Sequence, residues 1–143
     1  MTAIYEKRGI KFLYPENWKL SDEADAELPC SIVLETPDGG AFWSVHLHPP
    51  DADANQILEE TLAPLRETYS DLEIATIEHD FQQLPGTAIE AMFYCLDFLV
   101  QARLQVIETK PFLILLWYQA EDRDFEKQSL VFKAISTSLL KSL

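Results

Sequence analysis

Apolar residues recur along this chain with two periods, and the switch between them predicts its elements. From Gly86 to Ala120 the period is two. Ile89, Ala91, Phe93 and Cys95 share one side of TAIEAMFYC. After a break at Asp97, Val100, Ala102, Leu104 and Val106 oppose Gln101, Arg103 and Gln105, as in a strand with one packed side. A turn follows at Glu108, Thr109, Lys110 and Pro111, and FLILLWYQA is then apolar for seven consecutive residues. That run is too short to span a membrane and rich enough in branched and aromatic side chains for a strand covered on both faces, so it predicts the centre of a sheet.

The same alternation appears upstream. Ile4 and Tyr5 predict a short edge strand, and Ile10, Phe12 and Tyr14 a second one. Pro15 ends it by fixing its own φ and biasing Tyr14 to extended geometry, and the turn returns Trp18 to the sheet as a core plug. The acidic segment SDEADAELP predicts a solvated loop. CSIVLET and AFWSVHLHP flank the turn Pro37, Asp38, Gly39 and Gly40. They predict a hairpin with Trp43, Val45 and Leu47 on one face and Phe42, Ser44, His46 and His48 on the other. A further strand is expected in LEIATIEHDFQQL, with Ile74 and Thr76 opposed to Glu73, Ala75 and Ile77.

The period lengthens twice. Asp53 is an N-cap with Gln56 three residues on, and Ile57, Leu58, Leu62, Leu65 and Tyr69 follow at helical spacing. Pro64 removes one backbone donor, costs about 3 kcal/mol inside a helix, and predicts a bend or break near Glu60 to Ala63. Near the end, Asp122 or Asp124 can cap a helix whose Phe125, Val131, Phe132, Ile135 and Leu139 lie along one side. Strands, a helix, several strands and a helix make an α+β domain, with an antiparallel sheet covered by helices. At 143 residues one domain is the economical reading, since a chain of this size hides roughly 68–70% of its unfolded surface.

Charge narrows the partners. The chain has 24 acidic and 11 basic residues, a formal net of −13, which argues against nucleic acid and anionic membrane, both held through phosphates. Such acidity keeps a protein soluble, and as a functional signal it points to a basic or hydrophobic client. Lys7, Arg8 and Lys11 discourage edge pairing of the N-terminal strands with another copy; monomer and homodimer both remain open. Cys30 and Cys95 lie in separate strands without CxxC or metal spacing and read as buried thiols. Met1 to Phe12 holds no apolar segment of signal-peptide length and no stretch reaches the length of a membrane helix, so a cytoplasmic protein is expected.

One pattern spans nearly the whole chain: a strand running into a Pro-x-x-Trp turn (Pro15, Trp18), a strand pair, and a helix ending in an aromatic (Tyr69). Long antiparallel strands and a closing Phe and Ile before a Ser (Phe125, Phe132, Ile135, Ser138) complete it. In these features the chain resembles the PsbP-like and Mog-like superfamily, including the bacterial DcrB-related small proteins. The resemblance implies a three-layer α/β/α sandwich with an antiparallel sheet. It also implies a function that is not enzymatic, since members include extrinsic subunits of the photosynthetic oxygen-evolving complex, a binding protein for the GTPase Ran, and Eag chaperones of type VI secretion. The last shield apolar helices of effectors, a role compatible with a cytoplasmic domain of this length.

Chemistry in the sequence is sparse. There is no GxGxxG, GKS or GKT, GxSxG or HExxH, so no catalytic residue and no cofactor is assigned. His46 and His48, two apart on a strand, face the same side and could begin a metal site if His79, Glu78 or Asp80 supplied a third ligand; as two polar residues on the less buried face of a hairpin they need no metal, and none is assigned. The carboxylates from Asp22 to Glu27 and at Glu59 and Glu60 read as solvated. Trp43, Trp117 and Tyr118 read as core, although aromatics so placed can also stack a ligand. The resulting expectation is a binding or assembly-factor domain for another protein. The alternatives are a chaperone for an apolar helix, marked by an exposed hydrophobic patch, and a small-molecule or metal-binding protein, marked by an apolar pocket with convergent polar groups.

Overall fold

The computed structural model describes residues 1–22 and 27–143. Among them, nine strands and two helices follow in order: β1 (Thr2–Lys7), β2 (Ile10–Pro15), β3 (Lys19–Asp22), β4 (Cys30–Glu35), β5 (Ala41–His48), α1 (Ala54–Thr68), β6 (Glu73–Ile77), β7 (Gly86–Cys95), β8 (Phe98–Glu108), β9 (Leu113–Glu121) and α2 (Asp122–Lys141). Seven strands form one antiparallel sheet in the order β3-β4-β5-β9-β8-β7-β6. The apolar run after Pro111 is therefore the middle strand. Leu113 to Leu116 and Tyr118 are all buried, as a strand packed on both faces requires.

Alternation sorts the sheet into two cores. On one face Ile32, Leu34, Trp43, Val45, Leu47, Ile114, Leu116 and Tyr118 pack against Phe125, Phe132, Ile135 and Leu139 of α2 and against Tyr5, Ile10 and Phe12. On the other, Ile89, Ala91, Phe93, Ala102, Leu104, Val106, Leu113 and Leu115 pack against Ile57, Leu58 and Leu62 of α1. Three layers result, and the fold is α+β with α2 and α1 on opposite faces. The two cores are staggered: α2 lies over the β4, β5 and β9 half, and α1 over the β9, β8 and β7 half. The α1 face of β4 and β5 is thereby left uncovered.

The N-terminal strands do not join the large sheet, contrary to the edge role expected for them. Among the described residues, strands β1 and β2 pair only with each other, through a two-residue turn in which Arg8 (φ 57°) and Gly9 (φ 80°) both take left-handed backbone, the geometry of a type I′ hairpin. The free edge of β2 is covered by α2: the Leu13 and Lys11 amides donate to the hydroxyls of Ser138 (2.9 Å) and Ser142 (3.2 Å). Ser138 and Ser142 thus tie the hairpin to the last helix.

Four other expectations are corrected. The segment beginning at Ser21 is not all loop, since Lys19–Asp22 pairs with β4, while Glu23 to Ala26 lie outside the described residues. Asp22 is not simply solvated: it accepts from Arg8 (3.0 Å) and from the Tyr5 hydroxyl (2.8 Å), and burial together with the Asp22 charge pushes Tyr5 up to about 12. Of the bend or break expected near Glu60 to Ala63, the break does not occur: α1 is continuous from Ala54 to Thr68 with Pro64 inside it. The proline falls near the helix C-terminus, and the apolar stripe of Ile57, Leu58 and Leu62 on the sheet outweighs one missing bond. Helix α2 starts straight after β9 with Glu121 at its N-cap and no side-chain cap, so Asp122 and Asp124 occupy its first turn and serve only its dipole. Asp53 does cap α1, accepting from the Gln56 amide at 3.1 Å.

Candidate functional site

The uncovered quarter of the sheet forms the floor of an open cleft of about 420 Å³, within the range of small-ligand sites. Register builds that floor. His46 is opposite Leu115 and Ser44 opposite Trp117 in the β5–β9 ladder, so His46, His48, Leu115 and Trp117 share the α1 face. Glu60, Thr61, Pro64 and Leu65 of α1 form the wall; their spacing of one, four and five places them on one side of the helix. Pro29, joined to Leu28 by a cis peptide, and Ser31 close one end.

Polar geometry within the cleft is defined. The Ser44 hydroxyl donates to the Trp117 carbonyl at 2.9 Å and sits 3.0 Å from His46 Nε2. Ser44 has one proton, and the carbonyl receives it. His46 must therefore donate from Nε2, which leaves Nδ1 as an acceptor with no partner among the described residues. This is the reverse of a nucleophile–base pair, in which the serine proton would go to the imidazole, and Ser44 is buried besides. Burial, with a smaller contribution from His48, pulls His46 from 6.5 down to about 4. Burial also lowers His48, against an opposing pull from Glu60. Both rings are thus biased toward the neutral form.

The His-x-His pair meets Glu60 in the cleft but not the other candidates. Asp80 bonds through its amide and carboxylate to Gln105 (2.8 and 3.0 Å), and the Tyr118 hydroxyl approaches its carboxylate at 3.3 Å. Gln105 and Tyr118 point to the α2 face, so the sheet separates Asp80 from His46. His79 Nδ1 accepts from the Phe81 amide at 3.2 Å within the β6–β7 loop, and Glu78 is exposed. Among the described residues, no group of three or more His, Cys, Asp or Glu side chains is placed to hold a metal ion. Glu59 pairs with Arg66 at 2.8 Å in solvent. Of the aromatics, Trp43 and Tyr118 are core, while Trp117 is half-buried and lines the cleft. Cys30 is buried as expected; Cys95 is exposed, because β7 runs out past its helix cover before the turn.

A second concavity lies across the molecule. Leu13 and Pro15 of β2 and Leu130, Ala134 and Ser138 of α2 bound an apolar groove of about 370 Å³. It continues along α2 past Lys133 and Lys141. Leu130 is 79% exposed, and Ile4, opposite Leu13 in the hairpin, is 59% exposed.

No family model and no curated protein matches the chain by sequence. Solved structures do match by fold. The solution structure of cyanobacterial PsbP (CyanoP) from Synechocystis sp. PCC 6803 aligns at TM-score 0.62 and 15% identity, over 96% of this chain and 90% of that one. The chain has the PsbP-like fold. A protein of unknown function from Pseudomonas aeruginosa, PA94, described as a putative regulator, aligns at 0.53 and 10% identity over 96% and 95%. LpqN of Mycobacterium tuberculosis, described as involved in cell envelope biogenesis, aligns at 0.46 and 12% over 90% and 80%, a likeness too distant to bear on function. At these identities the PsbP-like fold says nothing of the contents of either concavity, which rest on this chain's own residues. No helix among the described residues is long and apolar enough to cross a membrane.

Sequence reasoning found His46 and His48 but missed the wall of the cleft. The signal was present: Glu60 and Pro64 are four apart on the predicted helix, hence on one face. The groove had no such signal, because it depends on the hairpin docking against α2.

Proposed function

We propose that this chain is a non-enzymatic protein-binding domain that takes an acidic amphipathic helix of a partner in the groove between β2 and α2. One observation carries the reading. On a chain of net charge −13, the described residues bounding the groove include exposed Leu13 and Leu130 and the lysines 133 and 141, and no carboxylate. An apolar seam flanked by cations fits leucines on one face of a helix with carboxylates beside them. The fold alone does not require a partner; the local reversal of charge supports one.

The test is fluorescence anisotropy with a labelled amphipathic peptide carrying leucines on one face and glutamates on the other, and with its lysine counterpart. The acidic peptide is expected to bind and the basic one to fail. Burying a leucine is worth roughly 1.5–3 kcal/mol, so Leu130→Asp should weaken binding by about tenfold or more. Leu130 is exposed in the free chain, which leaves the fold intact. Equal binding of the two peptides, or none, overturns the reading. So does concentration-dependent dimerisation abolished by Leu130→Asp, which would make a second copy the occupant.

A further inference from the structure

The cleft beneath α1 has the opposite electrostatic character to the groove. Among the described residues no lysine or arginine lines it, and its one formal charge is the Glu60 carboxylate. Beside the Ser31 hydroxyl and the His48 ring, which can each donate as well as accept, three of its polar groups present acceptors. His46 Nδ1 carries a lone pair, because Nε2–H is committed to Ser44. The Thr61 hydroxyl donates its proton to the Ile57 carbonyl at 2.8 Å and offers only lone pairs. Gln56 holds one Glu60 oxygen at 2.9 Å, which orients the carboxylate and leaves the other oxygen available. Pro64, on the same wall, has no N–H and adds no donor to it.

Between these acceptors is an aromatic surface fixed in place. The Trp117 indole N–H donates along the strand to Gln119 at 3.2 Å. Its ring is braced edge-on by Phe42, centroids 5.7 Å apart, and flanked by His46 at 6.3 Å. A held indole face beside a carboxylate and a ring acceptor selects for positive charge, planarity and several N–H donors at once.

We propose that this cleft binds a planar organic cation of the amidinium or guanidinium class, its face on Trp117 and its N–H groups shared between the Glu60 carboxylate and His46 Nδ1. The site lies on the opposite face of the sheet from the groove, so either assignment can fail without the other.

The test compares benzamidine with benzamide, its neutral isostere, and benzoate, its anionic one, by following the Trp117 indole N–H signal in ¹H–¹⁵N spectra. A tripeptide with a central arginine is a fourth arm, and its affinity relative to benzamidine distinguishes a side chain of another protein from a free small molecule. Benzamidine is expected to shift the signal saturably, benzamide to bind more weakly, and benzoate not to bind. Glu60→Gln, at an exposed position that keeps the Gln56 contact, should cost benzamidine about tenfold or more and leave benzamide unchanged. Glu59→Gln, one residue away and outside the cleft, should change neither. The proposal fails if benzoate matches benzamidine or if the two glutamate variants weaken binding equally, the mark of attraction to net charge alone. It fails also if no probe moves the indole signal at millimolar concentration.

Discussion

Acidification should destabilise this fold through His46, by an amount the structure sets. In the folded chain His46 titrates at about 4 rather than 6.5, because a charged ring would sit desolvated between Trp117 and Leu115 with His48 beside it. The unfolded chain binds that proton near the ordinary value. Between those two limits the unfolded state therefore holds more protons, and stability falls as pH falls. Each unit of displacement is worth 1.36 kcal/mol, so the full loss is about 3 kcal/mol, of which about 2 is reached by pH 5. The displacement of His48 has the same sign and adds to it, reduced by the Glu60 carboxylate, which pulls on that ring in the opposite direction.

The assay is urea unfolding followed by tryptophan fluorescence at several values from neutral pH to about 4.5, for the wild type and for His46→Gln, whose amide can still donate to Ser44. The carboxylates of this acidic chain also take up protons over that range, but they do so in both proteins and cancel in the difference. The advantage of wild type over variant at neutral pH should shrink by about 2 kcal/mol by pH 5. A difference that stays flat from neutral pH to 4.5 would refute the argument, as would an NMR titration placing His46 near 6.5.

Three further outcomes test the architecture. Ser138→Ala removes the acceptor of the Leu13 amide and should cost about 1 kcal/mol in urea midpoint without changing the slope, with faster hydrogen exchange at Leu13 as the local sign. Gly86→Ala should be far more costly, since a Cβ there would lie 2.5 Å from the Val106 carbonyl oxygen; a melting temperature within a degree or two of wild type would disprove the close approach. Leu96→Gly should raise stability by up to about 1 kcal/mol, because Leu96 sits at φ 57° and is 89% exposed, so relief of strain is offset by little lost packing.

Much of the fold was legible because its determinants are local. The alternations in β5, β7, β8 and β9 and the Asp53 cap each need only a few neighbouring residues, and each appears where its pattern places it. The misreadings share another cause. β3 is four residues with one apolar side chain, and only its pairing to β4 makes it a strand. Pro64 outweighs its neighbours on a propensity scale, but not once three leucine and isoleucine side chains of α1 are buried. Asp22 reads as one more acid in an acidic run until the hairpin brings Arg8 and Tyr5 to it. The candidate site shows the same division: His46 and His48 are visible from their spacing, whereas the meeting with Trp117 and Glu60 depends on register and on where α1 lands.

The stagger of the two helices explains why the cleft is where it is. Two helices on opposite faces of a seven-stranded sheet cannot cover both halves of both faces, so two quarters are left over. On the α2 face, the quarter over β8 and β7 is closed by side chains: Gln105 is fully buried between Asp80 and Tyr118, and Arg103 pairs with Glu90 at 3.2 Å and approaches the Phe125 ring at 5.8 Å. Apart from Arg103 Nε, which is buried without a hydrogen-bond partner, these polar groups satisfy one another, which makes that quarter part of the structure. On the α1 face, the quarter over β4 and β5 is left open, and its acceptors at His46 and Glu60 retain unused lone pairs. The sequence uses a buried polar network to seal one gap and leaves the other concave, aromatic and, among the described residues, without a lysine or arginine. Stability gains nothing from such an arrangement, whereas a donor-rich ligand would complete it.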